Sequence, residues 1–243
     1  MRYSFSMVDL FRQCPFKWFL RYGKKVKIED DFKPDHPFKI GHLLHDSIEL
    51  GLDTAINNYY SKFPIIDNPH VEEVIKISKL YPEYINMIPS GENEYKLLTD
   101  DFIGYIDLLV KNNDGTYDIW DFKYSNNIDH YKNSMQLHIY KYYFEKITGK
   151  KVKNLKYLFV PKVSLKKDFE TPSAEFRKQL NEELEKVHPE VVEIKFNSDK
   201  VKEYFEIINQ IEDPTTKLKK NVGGQCWWCE YEDVCIKSTL KEW

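Results

Sequence analysis

The sequence predicts an α/β fold in which helices flank a central mixed β-sheet. Three observations predict it. Residues 104–125, GYIDLLVKNNDGTYDIWDFKYS, hold two apolar runs around Asn113-Asp114-Gly115, a hairpin signal. A helical stretch separates them from a further apolar run at Val152–Val160, and strand–helix–strand order favours a parallel crossover. Helical patterns before the hairpin and after residue 173 supply the elements to cover such a sheet.

At 243 residues, 42% hydrophobic and 15% aromatic, the chain can bury a substantial core. We read 1–243 as a single domain. Residues 1–37 and 214–243 form a clip that joins the two ends, and 38–213 form a helical wall plus core. A net charge of −3 is not that of a protein that coats nucleic acid by charge alone. Lysines do cluster, at Lys24, Lys25 and Lys27, at Lys150, Lys151, Lys153 and Lys156, at Lys162, Lys166 and Lys167, and at Lys217, Lys219 and Lys220. Each cluster reads as a solvated face or as part of a local basic groove. No apolar run approaches the roughly 20 residues needed to span a bilayer, and no basic-then-apolar leader pattern opens the sequence. A soluble, cytoplasmic protein without membrane association is expected.

In order, Ser6 opens a helix with Asp9 as its capping-box partner. Pro15 breaks the helix after Cys14 and starts another, leaving Cys14 at a junction where backbone amides can stabilise a thiolate. Lys24–Pro37 reads as a connector. A helix from Phe38 to Phe63 has Ile40, Leu43, Leu44, Ile48 and Leu52 on one face and carries His45, with Glu49 one turn later. Val71–Met87 is a helix weakened by Pro82. Glu94–Thr99 is a strand that makes a three-strand meander with the hairpin. Asn126–Asp129 is a loop, and Tyr131–Ile147 a helix stopped by Gly149. After the Val152–Val160 strand come a basic loop at Lys162–Pro172, a helix at Ser173–Val187 and a short strand at Val191–Phe196. A helix at Ser198–Ile211, with Ser198 as N-cap, precedes a loop-like tail from Gly223.

The chemistry centres on the hairpin. With a three-residue loop at 113–115, facing residues have numbers that sum to 228, so Asp107 lies opposite Asp121. Lys123 shares the face of Asp121 because strand side chains alternate. Facing carboxylates repel each other, and a divalent cation between them would remove the penalty. A lysine two residues on can then orient or deprotonate a water, an arrangement that suits phosphodiester hydrolysis. The alternative is a surface ion pair, Asp121–Lys123 or Asp107–Lys123, worth little. His45 is a candidate metal ligand, with His42 as its competitor. Gln136 and Tyr140, four apart, share a helix face and can contact a phosphate or base; ordinary amphipathic-helix residues would look the same. Cys226, Cys229 and Cys235 form a tight cluster and Cys14 lies near the other end, a usage that suggests zinc or an iron–sulfur site.

Together these motifs resemble the PD-(D/E)XK nuclease superfamily in its RecB-like branch, and most of all the iron–sulfur exonucleases of CRISPR systems and phages, with a related arrangement in AddB-type nuclease domains. In order they are Cys14 in QCPFKWFLRY, the G-x3-H of Gly41–His45 followed by Glu49, and the G-x-x-D of GYID with Asp107. The D-x-K of DFK follows with Asp121 and Lys123, then the Q-x3-Y of Gln136 and Tyr140, and finally CWWCEYEDVC with Cys226, Cys229 and Cys235. The resemblance implies a restriction-endonuclease-like core. It implies a [4Fe-4S] cluster on Cys14, Cys226, Cys229 and Cys235 rather than zinc, in an iron–sulfur subdomain joining the N- and C-termini. Iron–sulfur glycosylases share the C-x2-C-x5-C ending but need a further cysteine where this chain has Lys219. The implied activity is Mg2+- or Mn2+-dependent hydrolysis of DNA, exonucleolytic on single strands. His45, Asp107, Asp121 and the Phe122 carbonyl would hold the metal, Lys123 would act in catalysis, Gln136 and Tyr140 would position the DNA, and Glu49 and Glu94 would stand around the site. Other readings are an inactive iron–sulfur module that binds DNA or a partner, and a nuclease that needs a helicase or CRISPR-adaptation partner.

Overall fold

The computed structural model describes residues 1–28, 37–62, 68–165, 167 and 170–237. Most of the expected connector at Lys24–Pro37, the helix end at Phe63 and part of the basic loop, Lys166 included, lie outside the described residues. In chain order the helices are α1 (Phe5–Gln13), α2 (Pro15–Trp18), α3 (Pro37–Glu49), α4 (Leu52–Lys62), α5 (Asn68–Ile85), α6 (Ile128–Lys132), α7 (Gln136–Thr148), α8 (Ser173–Leu184), α9 (Ser198–Glu212) and α10 (Glu232–Lys237). The strands are β1 (Glu92–Leu98), β2 (Ile103–Lys111), β3 (Tyr117–Tyr124), β4 (Val152–Val160) and β5 (Glu190–Ile194). A π-helical turn, Phe19–Gly23, follows α2, and a 3-10 turn, Gly224–Trp228, precedes α10. The chain divides into two compact units. One comprises Met1–Asp31, Leu97–Gly104 and Asn197–Trp243, the other Phe32–Lys96 and Tyr105–Phe196.

The larger unit is built on the hairpin. Leu108 pairs with Trp120 and Lys111 with Tyr117, so the antiparallel register sums to 228 as expected. Asn112 N–H donates to the Thr116 carbonyl at 2.8 Å, which leaves 113–115 as the loop. A three-residue hairpin loop ends in a left-handed residue, and Gly115 takes φ +83°. The Asp114 carboxylate fixes the same turn by accepting from the Thr116 amide at 3.0 Å. Beyond β3, the crossover through α6 and α7 returns β4 parallel to β3, and β5 pairs antiparallel with β4, giving the mixed order β1-β2-β3-β4-β5.

Alternation along β3 separates two faces. Trp120, Phe122 and Tyr124 join Leu43 and Leu44 of α3, Ile77 and Tyr84 of α5, and Leu180 of α8 in one apolar core. On the opposite face Tyr117 meets Phe144 of α7, with ring centroids 5.1 Å apart. Asp121 and Lys123 share the face of Tyr117, which brings them under the start of α7.

In the smaller unit α1 and α9 pack together. The Arg12 guanidinium lies 3.9 Å from Glu203, and the Tyr3 hydroxyl donates to Glu212 at 3.2 Å. Tyr3 also bridges Phe102, whose ring lies 6.4 Å from that of Tyr204. Phe16, Leu20 and Tyr231 form a separate apolar cluster with Cys14, Cys229 and Cys235 packed against it.

The structure differs from expectation at several element ends. The helix expected over 38–63 is two, because Gly51, at φ +84°, stops α3 as a left-handed cap. The helix expected over 131–147 begins at Gln136, after the separate short α6, whose N-cap is Asn127. Ser4, not Ser6, caps α1 by accepting from the Met7 amide; Asp9 instead binds Arg12 and Gln13. Asn197, not Ser198, caps α9. The tail is a 3-10 turn and a short helix rather than a loop. Gly149 does end α7, at φ +68°. No helix among the described residues is long and apolar enough to cross a membrane.

A turn that depends on one left-handed residue is sensitive to a β-carbon. Space is not the issue at Gly115, because an added Cβ would meet nothing within 4 Å. Gly115→Ala should therefore cost about 1–2 kcal/mol from conformation alone, and Gly115→Asn less, as read by urea unfolding. An alanine variant as stable as the parent would mean that the loop does not use this conformation.

Candidate active site

Four elements bring the site together. The β2–β3 pairing runs as far as Leu108–Trp120, and Asp107 on β2 and Asp121 on β3 each stand one residue beyond that pair. There the Asp107 Oδ2 accepts the backbone N–H of Phe122 at 2.7 Å. α3 delivers His45, whose Nε2 is 3.1 Å from the Phe122 carbonyl oxygen and whose Nδ1 is 3.6 Å from Asp107 Oδ2. β1 delivers Glu94, held at φ +50°, a conformation rare for a residue with a side chain. Ligand atoms of His45, Glu94 and Asp107 all lie within 4.8 Å of one another. Together with Glu49 and Phe122 these three line a small cavity. His42, the competing histidine, is exposed and outside this group.

Asp121 is 1% exposed and lies outside the group of His45, Glu94 and Asp107. Its Oδ1 accepts from the Gln136 side-chain amide at 2.6 Å, and its Oδ2 pairs with the Lys123 ammonium. The same Gln136 amide donates to the Tyr140 hydroxyl at 3.2 Å. Gln136 and Tyr140, expected to position DNA, thus make their direct contacts with Asp121 and with each other. Ser134 Oγ accepts the Gln136 backbone N–H at 3.2 Å, and the side chain that orients Asp121 sits at the first residue of α7. The Lys123 ammonium also lies over the rings of Tyr131 and Tyr157, 5.3 and 5.9 Å from their centroids.

Charge here is unbalanced. Burial first, then the charge of Asp121, pushes the Asp107 carboxyl well above its usual 3.8; Lys123 and the Phe122 amide offset only part of that. Burial also holds the His45 imidazole below its usual 6.5, against the attraction of Asp121, so it is neutral and can donate a lone pair. Burial pulls the Lys123 ammonium down, but Asp121 and Asp107 more than offset this and its net shift is upward. Burial raises the Glu94 carboxyl as well, and Glu49 and Asp46 add to it. One lysine therefore faces the carboxylates of Asp107, Asp121 and Glu94. An imidazole nitrogen and carboxylate oxygens, with one lysine against three acids, fit a divalent cation.

The sequence model of the PD-(D/E)XK nuclease superfamily matches residues 2–62 and 89–236, a span that takes in the whole of this site. The chain belongs to that superfamily. PD-(D/E)XK nucleases use divalent metals and act on DNA, in keeping with the donor set around Asp107. The fold is also that of a solved protein described as a "Putative exonuclease" from Eubacterium rectale. The two are 14% identical, with a TM-score of 0.55 over 85% of this chain and 77% of that one. A second solved protein, SSO0001, is 13% identical over 94% of this chain and 96% of its own, with a TM-score of 0.35. No curated protein matches.

In this member of the superfamily Glu94 was the residue whose part the sequence understated. It was expected around the site, and the structure brings it in among the candidate ligands. Its only sequence signal is an acid in a strand that pairs with the Asp107 strand.

Asp107 gives a pH prediction. Its folded pKa is raised, so its contribution to stability is present at low pH and is lost as pH rises through that folded value. Asp107→Asn should raise the melting temperature of the protein in EDTA by a few degrees at pH 8. The gain should shrink as pH falls through that folded value and the native carboxyl takes up its own proton. Melting curves of both proteins across that range would check it, and a gain independent of pH would mean that Asp107 is not ionised at a cost.

Proposed function

We propose that this PD-(D/E)XK protein is a Mg2+- or Mn2+-dependent exonuclease acting on single-stranded DNA, with a structural [4Fe-4S] cluster held by its cysteines. The observation that carries the nuclease reading is the convergence of His45, Glu94 and Asp107 within 4.8 Å, beside the Asp121–Lys123 pair. His45, Asp107, Glu94 and Asp121, with the Phe122 carbonyl, would hold the cation. A metal bound there supplies Lewis-acid polarisation of the phosphate and a water of lowered pKa. Lys123, kept charged by its carboxylate neighbours, orients the attacking water and stabilises charge that develops on the phosphate, rather than removing a proton. Gln136 keeps Asp121 aimed, and Tyr140 backs Gln136.

The cysteine reading rests on the smaller unit. All four thiols are free. Among the described residues no three of the sulfurs come within 4.8 Å of one another. Burial pushes the Cys229 and Cys235 thiols up, and the nearby Cys14 adds to both shifts. Backbone donors are already aimed at sulfur. The Lys17 amide is 3.4 Å from Cys14 Sγ, and the Gly223 amide 3.5 Å from Cys226 Sγ. A cluster on these ligands clips residues 1–37 to residues 214–243 and lowers the entropy of the unfolded chain.

End-labelled single-stranded oligonucleotides would test the activity. Cleavage should need Mg2+ or Mn2+, stop in EDTA, and fall at least about 100-fold in Asp107→Ala and in Lys123→Ala. Undiminished cleavage by both variants would overturn the assignment of the site. Absence of cleavage by pure wild type with Mn2+ would overturn the enzymatic reading in favour of a binding module.

The cluster has its own readout. Protein purified without air should be brown, absorb broadly in the visible and carry about four irons per chain. Colourless protein with one zinc would sink the cluster assignment while leaving the nuclease reading intact.

A further inference from the structure

β2 presents an exposed aromatic ring next to Asp107. Along this strand Gly104, Ile106 and Leu108 are buried, whereas Ile103, Tyr105 and Asp107 face the more open side. Tyr105 is 44% exposed, and among the described residues its hydroxyl has no hydrogen-bond partner. It precedes Asp107 by two residues, so both lie on one face, about 6.8 Å apart along the strand. On the neighbouring strand β1, Lys96 stands two residues beyond Glu94. It is exposed, and its ammonium lies 6.0 Å from the centre of the Tyr105 ring.

The two strands therefore repeat a pattern in two adjacent steps. At one step Glu94 and Asp107 converge with His45. At the next, Lys96 and Tyr105 present an ammonium and a flat ring. Carboxylates alone repel a phosphate, so a nucleic-acid strand gains nothing from the first step without a cation. The second step needs none, because an ammonium attracts phosphate and a ring accepts any base by stacking. The ring contributes little to the core, which rests on the buried Ile106 and Leu108 beside it.

We propose that Tyr105 and Lys96 form the nucleotide subsite adjoining the metal group, in which Tyr105 stacks on a base of single-stranded DNA and Lys96 binds the phosphate attached to it. An intact duplex keeps its base faces stacked inside, so this subsite selects unpaired strands. The proposal rests on the nuclease reading of His45, Glu94 and Asp107.

Binding in EDTA tests it apart from cleavage. Anisotropy of a labelled single-stranded oligonucleotide should show Tyr105→Ala and Tyr105→Leu weakened about 5- to 150-fold, the range of one base–aromatic stack. Tyr105→Phe, which keeps the ring, should stay within about twofold of wild type. One abasic position, walked along the oligonucleotide, should weaken wild type equally and leave Tyr105→Ala unaffected. Lys96→Ala should reduce the salt dependence by about one phosphate contact. Equal binding by Tyr105→Ala and wild type, an abasic penalty that survives in Tyr105→Ala, or no binding by wild type would each overturn the subsite. Wild type that binds with these dependences but does not cut with Mg2+ or Mn2+ keeps the subsite and overturns the nuclease reading. Wild type that cuts while Tyr105→Ala binds unchanged overturns the subsite alone.

Discussion

Two carboxylates removed from water with one lysine between them set the terms for the larger unit. The same sheet contains a control. Asp118 is also buried, but Asn112, Asn154 and Lys156 donate to it at 2.8–3.1 Å. Burial alone would raise the Asp118 carboxyl; those donors reverse the effect and hold it below the usual range. Asp118 is thus a satisfied structural acid. Asp107, with one backbone donor and an acid opposite, is pushed the other way. A fold that can satisfy one buried carboxylate fully and leaves another short of positive charge has a place for a cation at the second.

That shortage persists only because the surroundings hold it rigidly. Each strand and helix contributes one constraint. The Gly115 turn fixes the register that carries Asp107 and Asp121 one residue beyond the Leu108–Trp120 pair. The core under Trp120 and Phe122 pins β3 against α3, which sets the height of His45. The break before Gln136 lets α7 start where its first side chain meets Asp121. Had the helix run unbroken from Tyr131, position 136 would lie inside it rather than at its first turn. The irregularities at Gly51, at residues 133–135 and at Glu94 are where the backbone departs from regular geometry to place site residues or the helices that carry them. Local rules and tertiary demands disagree most often near functional groups.

The division between what could be read and what could not follows from range of interaction. The three-residue loop, the parallel crossover and the strand at Val152–Val160 are set by local chemistry and by alternation over a few residues, and all three stand as read. The Gly51 break was legible too, since a glycine after a helical face is a stop signal; the long apolar face over 38–52 masked it. The caps at Ser4 and Asn197 were misplaced by one or two residues because neighbouring serines and asparagines compete for the same role. Not legible were the contacts between distant segments. Nothing in the helix pattern of Gln136 says that its amide is spent on a carboxylate fifteen residues earlier rather than facing outward. Nothing in EYKLLT says that its glutamate turns toward His45.

Lys123 shows how the buried shell decides chemical character. An isolated buried lysine loses its proton, and a lysine free in water is a diffuse charge. Here the ammonium is bounded by Asp121 on one side and by the faces of Tyr131 and Tyr157 on others. Both kinds of neighbour favour the charged form, and the rings do so without adding a further negative charge that would compete for a metal. A carboxylate in place of either tyrosine would hold the lysine as well but would draw its head away from Asp121. Aromatic faces hold the ammonium where it pairs with Asp121. The lysine is thereby set up to interact with negative charge at the site rather than to accept a proton.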